Sequence, residues 1–231
     1  MTLNEQWREN RDEMLAGEFL LFGMLGKLLY NQPAQDEIAV LIEDEIFTDA
    51  PFASENPDVV AGLAMLQQWA ASYAEDAGAV FSDLQVDWTR LFAGGGLAPI
   101  APWESVYYTE ERVLFSESTL DVRAWYRRFG LELANLHHEP DDHIGLEMLF
   151  IAHLARLGLA ALEEGDEEAL ERAVQGQRDF CRQHLLVWAP TWSEQMVILA
   201  QTDFYRGLAL IVRGALTELA RLLDVEKARS L

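Results

Sequence analysis

The spacing of the large apolar residues narrows the fold more than any other feature. Leu15, Phe19, Phe22, Leu25 and Leu29 recur three and four positions apart, which is the period of one helix face. No run of Val, Ile and Thr alternates long enough to make a strand. The first helix is predicted over about residues 3–30, stopped by Asn31-Gln32-Pro33. A second follows over about 33–47. A third covers about 57–77, where Asn56 serves as N-cap and Pro57 takes the first helical position. A fourth, over about 80–92, sets Phe81, Leu84, Trp88, Leu91 and Phe92 on one broad face. A short turn is expected around Ser105–Tyr108. Ser118 with Asp121 reads as a capping box whose helix closes at Gly130. An apolar helix follows from Ile144 to Leu162, then one from Gly165-Asp166 to about His184, and one opened by Thr191-Trp192-Ser193-Glu194. The last carries Phe204, Leu208, Ile211, Ala215, Leu219 and Leu222 on one stripe. The expected fold is all-α, a single domain over residues 1–231 with about eight to ten helices. Gly94-Gly95-Gly96 is the candidate hinge, near residue 95.

Charge bounds the partners. Against 39 acidic residues stand 17 basic ones, a formal net charge of −22. A chain so acidic repels phosphate backbones, so nucleic acid is excluded as a partner, and anionic membrane surfaces are disfavoured for the same reason. A basic partner would be steered towards it. Cys181 is the only cysteine, which rules out an internal disulfide and a cysteine-based metal site. The first residues lack the basic start and apolar centre of a signal peptide. The segment Phe19–Tyr30 is too short to span a bilayer and carries Lys27. These features give the expectation of a cytoplasmic protein with no stable membrane insertion.

The densest chemistry lies in Glu139-Pro140-Asp141-Asp142-His143-Ile144-Gly145. Part of it reads as helix-start physics. Pro140 suits a first helical position, and Asp141 and Asp142 would then sit in the first turn, where the helix dipole favours negative charge. His143 is not explained that way. With Glu147 it forms an i, i+4 pair of the kind that holds metals, so a helical metal-dependent hydrolase centred on His143 and Glu147 is the alternative reading. No H-E-x-x-H pattern supports it. Adjacent carboxylates on a helix point about 100° apart, which is poor geometry for an acid–base pair. Ser105 lies in no nucleophile elbow, and the glycine run lacks the Lys of a phosphate loop. A binding surface fits better. Trp88, Phe92, Pro99, Pro102, Trp103, Tyr107 and Tyr108 precede the acidic motif, and such a set suits a peptide with cationic and apolar halves.

Three blocks in this order resemble the TorD/DmsD family of cytoplasmic redox-enzyme maturation chaperones. The first is Trp88-Thr89-Arg90-Leu91-Phe92, before the glycine loop. The second is the turn Pro102-Trp103-Glu104-Ser105-Val106-Tyr107. The third is the Glu139–Gly145 motif, and Phe204-Tyr205-Arg206 is a weaker fourth. The likeness runs from about Val80 to Leu222; the N-terminal part matches only as helices. The resemblance implies an all-helical chaperone without catalysis or cofactor. Its partner would be the twin-arginine signal peptide of a molybdenum oxidoreductase precursor, held until the cofactor is inserted and the enzyme exported. Carried over, Trp88, Leu91, Phe92, Glu139, Pro140, Asp142 and His143 would form the peptide-binding surface, and Pro102, Trp103, Ser105 and Tyr107 the loop beside it. The peptide's apolar stretch would lie on Trp88, Leu91 and Phe92, and its arginines would meet Asp142 and Glu139. Asp141 receives no role, since that family position varies. The chain is expected as a monomer or a domain-swapped dimer.

Overall fold

Two helix pairs carry the core, and glycine facing backbone decides how closely each packs. A computed structural model describes residues 10–108, 111–132 and 140–225. Along them run α1 (Arg11–Tyr30), α2 (Gln35–Glu43), α3 (Pro57–Glu75), α4 (Ala77–Phe92), α5 (Glu117–Arg128), α6 (Ile144–Glu164), α7 (Glu167–Phe180), α8 (Leu186–Leu199) and α9 (Asp203–Leu222). Single 3-10 turns occupy Gly95–Leu97 and Glu104–Tyr107. Among the described residues the protein is all-α, and the nearest thing to a strand is one isolated bridge between Trp103 and His143.

The α1–α6 and α3–α9 pairs make the most extensive contacts, and α6 also packs on α7. A Cβ on Gly145 would lie 2.7 Å from the Gly26 carbonyl oxygen and from Tyr30 Cβ. The backbones of α1 and α6 therefore touch where α6 begins. Gly62 and Gly207 play the same part between α3 and α9: a Cβ on Gly62 would stand 2.6 Å from the Gly207 carbonyl oxygen. Gly145→Ala is expected to cost about 2–3 kcal/mol, because the obstructing atoms are mostly backbone. Gly23→Ala, in the same helix pair, meets nothing nearer than Ala152 Cβ at 3.9 Å. It is expected to stabilise by up to about 1 kcal/mol through helix propensity. Thermal unfolding of the two variants checks the contrast.

Local signals explain most boundaries. Asn56 caps α3 by accepting from the Asp58 N–H at 3.0 Å, with Pro57 at the first position. Gly130 and Gly165 take the left-handed conformation after α5 and α6. Some boundaries differ from the expectation. α2 ends at Glu43, and Glu45 turns the chain with φ 53°. α5 is preceded by Ser116, whose hydroxyl pairs with that of Ser118 at 2.8 Å instead of capping, so Ser118 already lies in the helix. Thr191-Trp192-Ser193-Glu194 opens nothing: it lies inside α8, where Pro190 sits without ending the helix. A π turn over Cys181–Leu185 joins α7 to α8 just upstream; such turns and prolines both disturb the regular bonding ladder. α6 is long and apolar enough to cross a bilayer by composition, yet 61% of its apolar window is buried within the protein.

One buried carboxylate sits in the core away from the motif. Glu18 of α1 is fully enclosed and accepts from Gln177 Nε2 of α7 at 2.7 Å. Its Oε1 and the Gln177 carbonyl oxygen have no partner among the described residues, so a neutral acid fits this pair better than a carboxylate. Burial lifts Glu18 to about 7, against the opposing pull of the Gln177 bond. A raised folded-state value stabilises most below the unfolded value of 4.5 and is lost as pH rises through about 7. The expected loss is about 3 kcal/mol. Glu18→Gln should flatten that limb, measured by urea unfolding between pH 5 and 8.5.

Candidate functional site

The acidic motif and the Pro102–Tyr107 turn form one fastened unit. The chain turns at Asp141-Asp142 and pairs with the Pro102–Glu104 segment through a single bridge between His143 and Trp103. Ile144 N–H donates to the Pro102 carbonyl at 2.7 Å, and Glu104 N–H donates to the Asp142 carbonyl at 2.9 Å. The Asp142 carboxylate completes the clasp. One oxygen accepts from the Ser105 N–H at 2.6 Å and the other from the Thr119 hydroxyl of α5 at 2.9 Å. Asp141 pairs with Arg123 of α5, and its carbonyl accepts from the Tyr126 hydroxyl at 3.0 Å. Asp142 therefore holds the turn and α5 together, while Asp141 fixes α5 to the start of α6.

The helix-start reading of the motif is corrected here. α6 begins at Ile144, so Pro140, Asp141 and Asp142 precede it, and His143 is the N-cap. His143 Nδ1 accepts from the Gly145 N–H at 3.0 Å. Accepting there requires the neutral ring, with its proton on the other nitrogen. The ring stands edge-on to Tyr30 and to Trp103, at centroid distances of 5.2 and 5.6 Å. Burial holds His143 down at about 3. It is a cap because the imidazole replaces the carboxylate or hydroxyl usual at this position.

Behind the clasp lies a second layer of polar side chains. Glu104 is fully enclosed and receives His184 Nδ1 at 3.0 Å and the Tyr108 hydroxyl at 2.5 Å. His184, from the π turn, also reaches Asp121 at 3.1 Å through Nε2. Glu147 accepts from Trp188 Nε1 at 3.2 Å. Burial pushes Glu147 well above the usual carboxylate range, and the neighbouring Glu104 and Asp142 push the same way. Glu147 Oε1, the Ser105 hydroxyl and Trp103 Nε1 are buried without a partner among the described residues.

The expected site residues divide into two groups. Pro102, Trp103, Ser105, Asp142 and His143 meet directly in the clasp, with Pro140 buried at its start. Tyr107 joins from the side, bonding the Ala101 carbonyl at 3.1 Å and packing on Trp188 at 5.1 Å. Trp88, Leu91 and Phe92 belong to a different neighbourhood. Phe92 packs on Trp88 at 6.3 Å and on Tyr205 at 5.6 Å, and the link to the turn is Ile100 N–H to the Leu91 carbonyl at 3.1 Å. Leu91 and Phe92 are buried and Trp88 is half-buried. Asp142 is enclosed, and its two oxygens already accept from Ser105 and Thr119, so it presents no exposed carboxylate to an incoming arginine. Glu139 lies outside the described residues. The metal pairing is not assembled: His143 spends Nδ1 on the cap, Glu147 bonds Trp188, and among the described residues no three metal-ligating side chains converge.

Sequence reasoning missed Thr119, Arg123, Glu104 and His184. Thr119 and Arg123 lie one turn apart on α5, but nothing in their spacing names a carboxylate partner. Glu104 and His184 are 80 positions apart, beyond any local signal.

The chain is similar to proteins of known families. Residues 54–194 match the family described as nitrate reductase delta subunit. A Tat proofreading chaperone DmsD from Salmonella typhi is 29% identical over 195 residues, covering 84% of this chain and 85% of that protein. A probable Tat proofreading chaperone DmsD from Haemophilus influenzae is 34% identical over 121 residues, 52% of each chain. A chaperone protein TorD from Actinobacillus pleuropneumoniae serotype 3 is 31% identical over 137 residues, 59% of this chain and 61% of the relative. With the clasp joining the second and third sequence blocks and the family match spanning more than half its length, this chain belongs to the nitrate reductase delta subunit family, the TorD/DmsD family of redox-enzyme maturation chaperones.

Proposed function

We propose that this protein binds the twin-arginine signal peptide of a molybdenum oxidoreductase precursor in the cytoplasm, holding it until the cofactor is in place, and that it catalyses no reaction. The observation that carries the reading is the clasp: the turn and motif blocks that carry the resemblance to the chaperones are bonded into one unit. The likeness to a Tat proofreading chaperone over 84% of the chain supports the partner. The net charge of −22 suits an arginine-bearing ligand. Asp142 and His143 act as positioning residues, since the carboxylate is committed to Ser105 and Thr119 and the imidazole to the α6 cap. Their burial supports a non-catalytic role, because it keeps both groups out of reach of a substrate.

Titration calorimetry with a synthetic twin-arginine leader tests the reading. Affinity near the micromolar range, about −8 kcal/mol, is expected of a holder that must release. Replacing the peptide's apolar run with serines should weaken it most, because apolar burial at about 25 cal/mol per Å² outweighs rim ion pairs worth about 0–1 kcal/mol each. A wild-type chain that shows no heat with the leader, and none with its precursor, would reject the proposal.

A further inference from the structure

We infer that the leader's apolar stretch docks on a raised edge built by two neighbouring loops, with Leu97, Val113 and Phe115 as its contacts and Glu111 and Glu117 facing the arginines. The inference rests on the function proposed above and gives that binding a place. Leu91 and Phe92 are enclosed and Trp88 is half-buried, so most of the face expected to receive the peptide is already packed in the protein's own core. The loop residues that follow are not. Leu97 is 88% exposed, Val113 50% and Phe115 53%.

This exposure is held in place. Arg112 Nε donates to the Gly96 carbonyl at 2.8 Å and Nη2 to the Ala98 carbonyl at 3.0 Å. A Cβ on Gly96 would stand 2.5 Å from the Arg112 carbonyl oxygen, so the two loops meet backbone to backbone beside Leu97 and Val113. Leu114 turns inward towards Gly95 and Gly96, which leaves Val113 and Phe115 pointing away. Arg112 and Phe115 both adopt positive φ, 51° and 60°, a backbone state uncommon outside glycine. Large apolar side chains presented by a fixed backbone are a feature of interaction sites.

Charge selects the occupant. Among the described residues from 94 to 121 the only cation is Arg112, and its guanidinium is spent on the two carbonyls. Glu111 and Glu117 are exposed on either side of the apolar residues in sequence. Exposed apolar residues flanked in sequence by exposed acids complement a segment in which an apolar run adjoins arginines.

The test uses the full chain with Leu97→Ser and Phe115→Asn combined; Asn tolerates the positive φ at 115. The comparison variant is Val40→Ser with Val60→Ser, two exposed apolar residues on α2 and α3. In calorimetry with the twin-arginine leader, the loop variant should bind about tenfold more weakly and the comparison variant unchanged. Glu111→Gln with Glu117→Gln should reduce the salt dependence of binding. If the wild type binds the leader and the loop variant binds it equally well, the docking edge is wrong and the proposed function stands. If the wild type fails to bind the leader at all, both fall. Light scattering covers the other occupant: a wild-type dimer that the loop variant dissociates would make this edge a self-interface and overturn the inference.

Discussion

Acid is expected to destabilise this protein through His143 by about 4–5 kcal/mol between pH 6.5 and pH 3. The ring must stay neutral to accept the Gly145 N–H, and burial gives its charged form no solvent. In the unfolded chain the ring takes a proton near pH 6.5; in the folded protein it does so only near 3. A depressed folded-state value contributes stability that is complete above the unfolded value and disappears as pH falls. His143→Asn separates this from general acid effects. Asparagine keeps a good N-cap acceptor but does not titrate. At pH 7.5 the variant should be about 1–3 kcal/mol less stable, having lost the edge contacts with Tyr30 and Trp103. By pH 4 the order should reverse. Urea unfolding of both proteins across that range checks it; parallel curves would show that His143 takes up its proton equally in the folded and unfolded states.

Asp142→Ala is expected to cost about 3 kcal/mol at neutral pH. The substitution strands the Ser105 N–H and the Thr119 hydroxyl, two donors buried around a charged acceptor. Asp142→Asn should cost only about 1 kcal/mol, because its amide keeps an acceptor for Ser105 and offers a donor to the Thr119 oxygen. The two variants together separate the clasp's shape from its charge. Thermal unfolding followed by Trp fluorescence is the measurement, since Trp103 bridges to His143 beside the clasp. Equal loss in both variants would mean the charge matters more than the bonds. No loss in either would mean that the turn stays docked without Asp142.

What the sequence discloses here is local. Apolar spacing marks α1, α4 and α9, Asn56-Pro57 and Gly165-Asp166 mark the starts of α3 and α7, and Gly130 marks the end of α5, because each signal acts within one or two turns. Where a distant partner decides, the local reading fails. Pro140 suits a helix start, yet the backbones of Asp142 and Ile144 pair with Glu104 and Pro102, and the helix waits for Ile144. Pro190 suits a break, yet α8 continues through it after the π turn. The site divides along the same line. The motif is conspicuous in sequence because its acids, proline and histidine are dense. That it is a fastening rather than an open surface depends on Thr119, Arg123 and Ser105, which no spacing rule connects to Asp141 or Asp142.

The clasp also assigns work to each motif residue. Gly145 permits contact with α1, His143 caps α6, Asp142 ties the turn to α5, and Asp141 secures α5 through Arg123. Replacing any one of them is expected to affect leader binding through the position of the loops. Loss of affinity in such variants should therefore be accompanied by loss of stability, whereas Leu97 and Phe115 variants should lose affinity alone.

Affinity purification of the tagged full-length chain from its native cell extract, with the co-purifying proteins identified by mass spectrometry, tests the central claim most directly. The account predicts a molybdenum oxidoreductase precursor that retains its twin-arginine leader, depleted when a synthetic leader is added in excess. Recovery of only leaderless, mature oxidoreductase, or of a precursor that excess leader does not displace, would contradict it.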